Sequence, residues 1–253
     1  MLRLLFTPAA SASWNLAVEE SLVRSFANHR ATALARLWIS TPAVVLGRNQ
    51  ASQREVDFAY CTFHGIEPVR RFSGGGCVYQ DEGNLNLTLA LRSQSTGGSA
   101  KRLMIRLFDR LMRDFGLSGE AAASGYFVQG KKLSGLAGYR NRDVDLIHST
   151  LLVSSDLNRL QTVLKAHRDE YPHLVADSRK LRATPSQPAQ TANLNDWLSY
   201  RVTTLEVAHQ IIHHLNGLFN STPRVHQLEP GEVEAAKRLH LEKYTNDRWT
   251  FQK

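Results

Sequence analysis

The sequence predicts an α+β fold, with mixed or antiparallel sheets packed against helices. Strand-like and helix-like segments interleave along the chain. Neighbouring strands are separated by turn signals of hairpin length, and each helical stretch carries one apolar face. The 253 residues suit one large domain or one domain with a short appendage. An apolar content of 42% with 21% charged residues is that of an ordinary globular protein. No apolar run approaches the ~18 residues of a membrane-spanning helix.

Taken in order, Leu2 to Phe6 reads as a strand, since its apolar part is too short for the core of a signal peptide. Ser13 is placed to cap a helix carrying Leu16, Leu22, Val23 and Phe26 on one face. Leu37 to Ile39 and Ala43 to Leu46 read as strands separated by the turn Ser40-Thr41-Pro42. Val56 to Phe63 reads as a short helix closed by Gly65. Pro68 to Arg71 and Val78 to Gln80 read as strands around a glycine loop, Ser73 to Gly76. Leu85, Leu87 and Leu89 alternate with Asn86 and Thr88, the pattern of a half-buried strand.

After a polar loop from Ser93 to Ser99, Met104, Leu107, Phe108, Leu111 and Phe115 form a helical stripe that stops at Gly116. Two strands turn at Gln129-Gly130, another runs from Asp145 to Val153, and a helix covers Leu157 to Lys165. Ser178 to Asn195, rich in Pro, Thr, Gln and Asn, reads as loop. Thr203 and Glu206 make a capping box before Leu205, Ala208, Ile211, Ile212 and Leu215, and a last helix carries Val233, Ala236 and Leu239.

Two cysteines, Cys61 and Cys77, make neither a disulfide framework nor a four-cysteine metal site, which points to a reducing cytoplasm. The net charge of +8 favours acidic partners. The basic residues are dispersed, without the aromatic–basic interleaving of a nucleic-acid binder.

Four segments carry possible chemistry. Arg70-Arg71-Phe72-Ser73-Gly74-Gly75-Gly76-Cys77 joins two arginines to a loop whose backbone N–H groups are uncovered by side chains and can cradle an anion. It matches neither the dinucleotide nor the Walker pattern. Asn84 and Asn86 share one strand face and point polar amides away from the leucines, toward a ligand or toward loop backbone. In Gly130-Lys131-Lys132-Leu133-Ser134-Gly135, period-two alternation sets Lys132 opposite the inward Leu133, where its ammonium can neutralise charge developing on a phosphate and an acyl oxygen. His148 enters an apolar strand, where a structural hydrogen bond is favoured over a general base.

Together with Trp14 to Glu20 and Val45-Leu46-Gly47-Arg48-Asn49-Gln50, these segments closely resemble the lipoate–protein ligase A family over nearly the whole chain, in a short form like the large subunit of split ligases. The resemblance implies the biotin/lipoate ligase catalytic fold. It also implies ATP-dependent activation of lipoate or octanoate to acyl-AMP, then transfer to a lysine of an acidic lipoyl-domain or H-protein-like acceptor. By position it assigns Lys132 as the catalytic lysine. Adenylate contacts would come from Arg71, Gly74, Gly75, Gly76, Cys77, Val78, Tyr79, Asn84 and Lys132. The acyl group would meet Val45, Leu46, Gly47, Arg71, Gly76, Lys132 and His148. Mg2+ is expected with ATP, and no metal ligand is assigned.

Gln80 stands where the family usually has His, Cys77 where Ala is common, and Ala123-Ser124-Gly125 where Asn-Asp is common. Residues 1–225 are expected to form the catalytic domain. Residues 226–253 are expected to form a helical tail, ending where an accessory domain would begin, so that a separate small subunit could assist. The competing expectation is an octanoyl or lipoyl transferase of the same superfamily using a preformed activated acyl donor. A thioester route would need a thiolate, for which only Cys77 is placed.

Overall fold

The computed structural model describes residues 1–93, 99–220 and 224–252, with the side chains of 177–180 excepted. The expected polar loop after Ser93 lies, at residues 94–98, outside the described residues. The main sheet has eight strands in the order β11-β1-β2-β6-β10-β9-β8-β7. They are β1 (Leu2–Ala10), β2 (Ala33–Ser40), β6 (Asn84–Arg92), β7 (Gly119–Ala122), β8 (Gly125–Val128), β9 (Lys131–Arg140), β10 (Val144–Leu152) and β11 (Val225–His226). Strand β1 runs parallel to β11 and β2, and all other neighbours are antiparallel. A second sheet, β4-β3-β5, holds β3 (Ala43–Leu46), β4 (Glu67–Arg70) and β5 (Val78–Gln80). The Ser40-Thr41-Pro42 turn therefore moves the chain from one sheet to the other rather than closing a hairpin. The helices are α1 (Ala12–Phe26), α2 (Ser52–Glu55), α3 (Phe58–His64), α4 (Ala100–Asp114), α5 (Leu157–Val163), α6 (Tyr171–Lys180), α7 (Thr204–Phe219), α8 (Pro230–Leu239) and α9 (Asp247–Thr250). None is long and apolar enough to cross a membrane.

Local chemistry explains most boundaries and several departures from expectation. The cap of α1 is Ser11, whose hydroxyl accepts from Trp14 N, and not Ser13. The carboxylate of Glu67 occupies the amides of Ala12 and Ser13, placing a negative charge at the positive end of the helix. Asp57 caps α3 by accepting from Tyr60 N, so Val56 stays extended and the helix starts later than its apolar pattern indicates. The expected loop from Ser178 begins only after α6, whose Pro172 is tolerated in a first turn. The capping box of α7 is present, but Leu205 is exposed, because the buried stripe is Val207, Ala208, Ile211 and Leu215.

Strand β6 is buried on both faces rather than one. Its leucines meet Met104, Leu107, Phe108 and Leu111 of α4. Its asparagines and Thr88 face the second layer, made of α1 and the small sheet. The C-terminal helices pack against this body. Ala236 of α8 joins Val18, Leu22 and Phe26 of α1, and Arg3 makes a two-armed ion pair with buried Glu232 at 2.5 and 2.7 Å.

Candidate active site

A cavity of about 260 Å3 lies between the two sheets. Strand periodicity decides its walls. Val45 and Val78 face it, while their neighbours Leu46 and Tyr79 point into the core behind the small sheet. On the large sheet one row of paired residues runs Trp38, Asn86, Thr150, Gly135, and the next runs Thr88, His148, Ala137. Of the residues expected in the site, Val45, Arg71, Gly75, Gly76, Cys77, Val78, Lys132 and His148 line the cavity. Leu46, Gly47, Gly74, Tyr79 and Asn84 lie outside its lining.

Asn84 serves backbone instead, its Nδ2 donating to Tyr79 O at 3.0 Å. Gly47 supports the glycine loop from below: a Cβ there would stand 2.0 Å from Gly75 O. The two arginines are buried braces rather than an open anion clamp. Arg70 donates to the carbonyls of Gly47, Gln50 and Thr250. Arg71 donates to Val45 O at 3.0 Å, Gly74 O at 2.5 Å, Gly76 O at 2.8 Å and Ser73 Oγ at 3.1 Å. Burial lowers its pKa to about 10. The sequence shows the charge of the pair but not that backbone carbonyls take up most of its donors; Arg70 Nη2 is left without a partner among the described residues.

His148 joins the central strand to the loop and to α1. Its Nε2 lies 2.7 Å from Ser73 Oγ and its Nδ1 lies 3.0 Å from Glu19 Oε2. Burial pushes the Glu19 carboxyl up, but His148, Thr88 and Arg36 outweigh it and hold Glu19 below the usual carboxylate range. Ser73 is buried, outside the cavity lining and also held by Arg71, so the Glu19–His148–Ser73 line is a brace rather than a nucleophilic triad. Both ring nitrogens are engaged, in keeping with a structural role for His148.

Lys132 reaches the cavity from β9. A one-residue irregularity pairs Lys132 with Phe127 but Ser134 with Tyr126, leaving Leu133 unpaired and turned into the core. Gly125 makes room for the lysine, since a Cβ there would lie 2.7 Å from Lys132 Cε. The ammonium has no hydrogen bond or ion pair to a described residue, and burial lowers its pKa. Part of the wall comes from a segment that gives no chemical signal in the sequence, Thr184 to Gln187. Ser186 Oγ accepts from Cys77 N at 2.9 Å and from Gln50 Nε2 at 3.0 Å, while Lys132 N donates to Gln190 O. The Cys77 thiol is pushed well above its ordinary pKa, first by burial and then by Glu55, so it is no thiolate. Among the described residues no group of three or more His, Cys, Asp or Glu converges to hold a metal.

Residues 11–216 match the family described as lipoyl protein ligase A/B catalytic domain. The chain is 25% identical to lipoate-protein ligase LplJ of Bacillus subtilis over 94% of its length and 69% of that protein. It is 27% identical to lipoate-protein ligase A subunit 1 of Thermoplasma acidophilum over 99% and 95% of the two chains. It is 25% identical to octanoyltransferase LipM of Carboxydothermus hydrogenoformans over 95% of each. Among solved structures, a bi-partite lipoate protein ligase from Thermoplasma acidophilum superposes with a TM-score of 0.82 at 26% identity, covering 98% of this chain and 95% of that one. A putative lipoate protein ligase from Thermoplasma acidophilum with bound lipoic acid gives 0.77 at 26% identity, covering 99% and 98%. A lipoate-protein ligase A bound with ATP gives 0.79 at 25% identity, covering 99% and 97%.

Proposed function

The chain belongs to the lipoyl protein ligase A/B catalytic-domain family and is a ligase enzyme, and on that premise we propose that it joins lipoate or octanoate to a lysine of a lipoyl domain through an acyl-adenylate. The observation that carries this reading is Lys132, a half-buried cation without a counter-charge among the described residues, facing an apolar-walled cavity beside the glycine loop. In the first step an acyl carboxylate oxygen attacks the α-phosphorus of ATP and pyrophosphate leaves. In the second the acceptor amine attacks the acyl carbonyl carbon, AMP leaves, and the amine gives up a proton. Lys132 would stabilise the charge on the phosphate and acyl oxygens in both steps. Val45 and Val78 would hold the acyl chain, and Arg71 would keep the loop in shape. With no protein metal cluster among the described residues, Mg2+ would be held chiefly by the nucleotide phosphates and water.

The net charge of +8 favours an acidic acceptor. A separate small subunit assisting adenylation belongs to the same proposal. It is supported by the likeness to a relative named as one subunit and to a structure described as bi-partite. So do a catalytic unit at residues 1–225, a helical tail from 226, and a cytoplasmic setting. The transferase reading draws on the similarity to LipM, and the neutral, half-buried Cys77 thiol weighs against its thioester route. Incubation with ATP, lipoate and a lipoyl domain, followed by acceptor mass, tests the proposal: the acceptor gains one lipoyl group only with ATP. Transfer from an acyl-carrier thioester without ATP, with an acyl group trapped on Cys77, would favour the transferase.

A further inference from the structure

The wall segment Thr184 to Gln187 is joined to the turn after β3 and to the glycine loop by hydrogen bonds that converge on Ser186. Its Oγ accepts from Cys77 N at 2.9 Å and from Gln50 Nε2 at 3.0 Å, and its N donates to Glu55 Oε1 at 3.2 Å. Thr184 N donates to Asn49 O at 2.9 Å, and Gln50 Oε1 accepts from Gly47 N at 2.8 Å. The contact with the loop is tight: a Cβ on Gly76 would lie 3.1 Å from Ser186 Oγ and 3.3 Å from Ser186 Cα.

Two buried groups stand behind Ser186, and neither lines the cavity nor enters the chemistry proposed above. They are Glu55 at the end of α2, 1% exposed, and Tyr171 at the start of α6, 3% exposed. Tyr171 Oη lies 3.0 Å from Ser186 O and 3.2 Å from each Glu55 carboxyl oxygen. Burial pushes the Glu55 pKa up, against hydrogen bonds from Ser186, Tyr171 and Gln50. An apolar side chain would fill that space at less cost. What the acid adds is its hold on the Ser186 amide.

Gly74 to Gly76 have wide backbone freedom, so the loop keeps one shape only where its neighbours hold it. Arg71 holds it from one side, through Gly74 O and Gly76 O. Ser186 holds it from the other, at Cys77 N. We propose that Glu55 and Ser186 are positioning residues for the nucleotide: Glu55 fixes Ser186, and Ser186 fixes the Cys77 end of the glycine loop in the shape that receives the adenylate. A loop held in advance spares the nucleotide the entropy of ordering it. The inference rests on the function proposed above, in which the glycine loop meets the adenylate.

Lipoate-dependent exchange of pyrophosphate into ATP gives KM for ATP, KM for lipoate and kcat of the adenylation step separately. Ser186→Ala and Glu55→Ala should each raise KM for ATP about tenfold, the size of one lost hydrogen bond. KM for lipoate and kcat should stay within about twofold of wild type, since only nucleotide binding is weakened. Glu55→Gln should restore most of the ATP affinity, because it keeps an acceptor for Ser186 N and a polar group toward Tyr171 Oη. The double variant Glu55→Ala/Ser186→Ala should be no worse than Glu55→Ala alone, because both changes break one chain of contacts. Thermal melts read the fold, and Ser186→Ala, which removes one hydroxyl, carries the test if Glu55→Ala does not fold. An unchanged or lowered KM for ATP in folded Ser186→Ala, an equal rise in both KM values, or a fall in kcat alone overturns the positioning role and leaves the ligase activity standing. A wild type without lipoate-dependent exchange overturns the activity proposal, and this inference with it.

Discussion

The indole N–H of Trp249 donates to Arg70 O at 2.7 Å, and Arg70 Nε returns hydrogen bonds to Trp249 O at 3.1 Å and Thr250 O at 2.9 Å. The strand leading into the glycine loop is thus clamped from behind by the C-terminal segment. Lys243 extends the clamp, stacking 4.1 Å from the Trp249 ring and reaching Glu20 at 2.7 Å. Trp249→Phe keeps the ring but strands Arg70 O. It should cost about 1–2 kcal/mol of stability by denaturant unfolding, and it should raise KM for ATP, since the strand it releases leads into the loop. An unchanged midpoint would show the clamp to be dispensable.

Lys132→Ala should lower the rate of acyl-adenylate formation by roughly 3–4 kcal/mol, comparable to losing an oxyanion donor. Thermal stability should be nearly unchanged or slightly raised, because a desolvated cation without a partner is removed. Single-turnover kinetics with lipoate and ATP, beside a thermal melt, separate the two effects. Near-normal turnover would remove Lys132 from the mechanism.

The same burial fixes a pH dependence. Burial holds the Lys132 pKa below that of a free lysine, so the ammonium is lost as pH rises through the lowered value. The alkaline fall of kcat/KM should therefore begin below the ordinary lysine range. Lys132→Arg should move that limb upward, whatever activity it retains. A limb that stays in place in Lys132→Arg would assign it to another group.

Glu19 gives the opposite limb in stability. Its folded pKa is below the unfolded value, so its contribution is fully present above the ordinary carboxylate range and is lost as pH falls through the folded value. Glu19→Gln should lose roughly 1.5–3 kcal/mol at neutral pH, the worth of hydrogen bonds to a charged group. It should also flatten the acid side of the stability curve. Urea unfolding at several pH values checks both.

Cys77→Ala should keep most of the ATP-dependent activity, since the half-buried thiol is neutral and the residue's hydrogen bond is made by its amide, to Ser186 Oγ. Loss of acyl transfer, with wild-type protein carrying an acyl thioester at Cys77, would reverse the choice between ligase and transferase.

The sequence by itself determined the features written in local periodicity and in motif order. The α4 stripe from Met104 to Leu111, the Gln129-Gly130 turn and the Thr203–Glu206 capping box each depend on residues close in the chain. So does the separation of Lys132 from Leu133. The order of motifs from Trp14 to Val153 was enough to reach the family. Only the tertiary structure decided what depends on partners distant in sequence. Arg70 and Arg71 carry their charge in the sequence, but carbonyls from Val45 to Thr250 take up most of their donors. Leu46 and Tyr79 flank cavity residues in the chain, yet the pleat turns them into the core. Glu19 meets His148 across 129 positions, and Ser186 meets Cys77 across 109. No local propensity encodes such meetings: they are set by which sheet each strand joins, and the β2–β3 turn, which reads as an ordinary hairpin signal, is where the chain changes sheet.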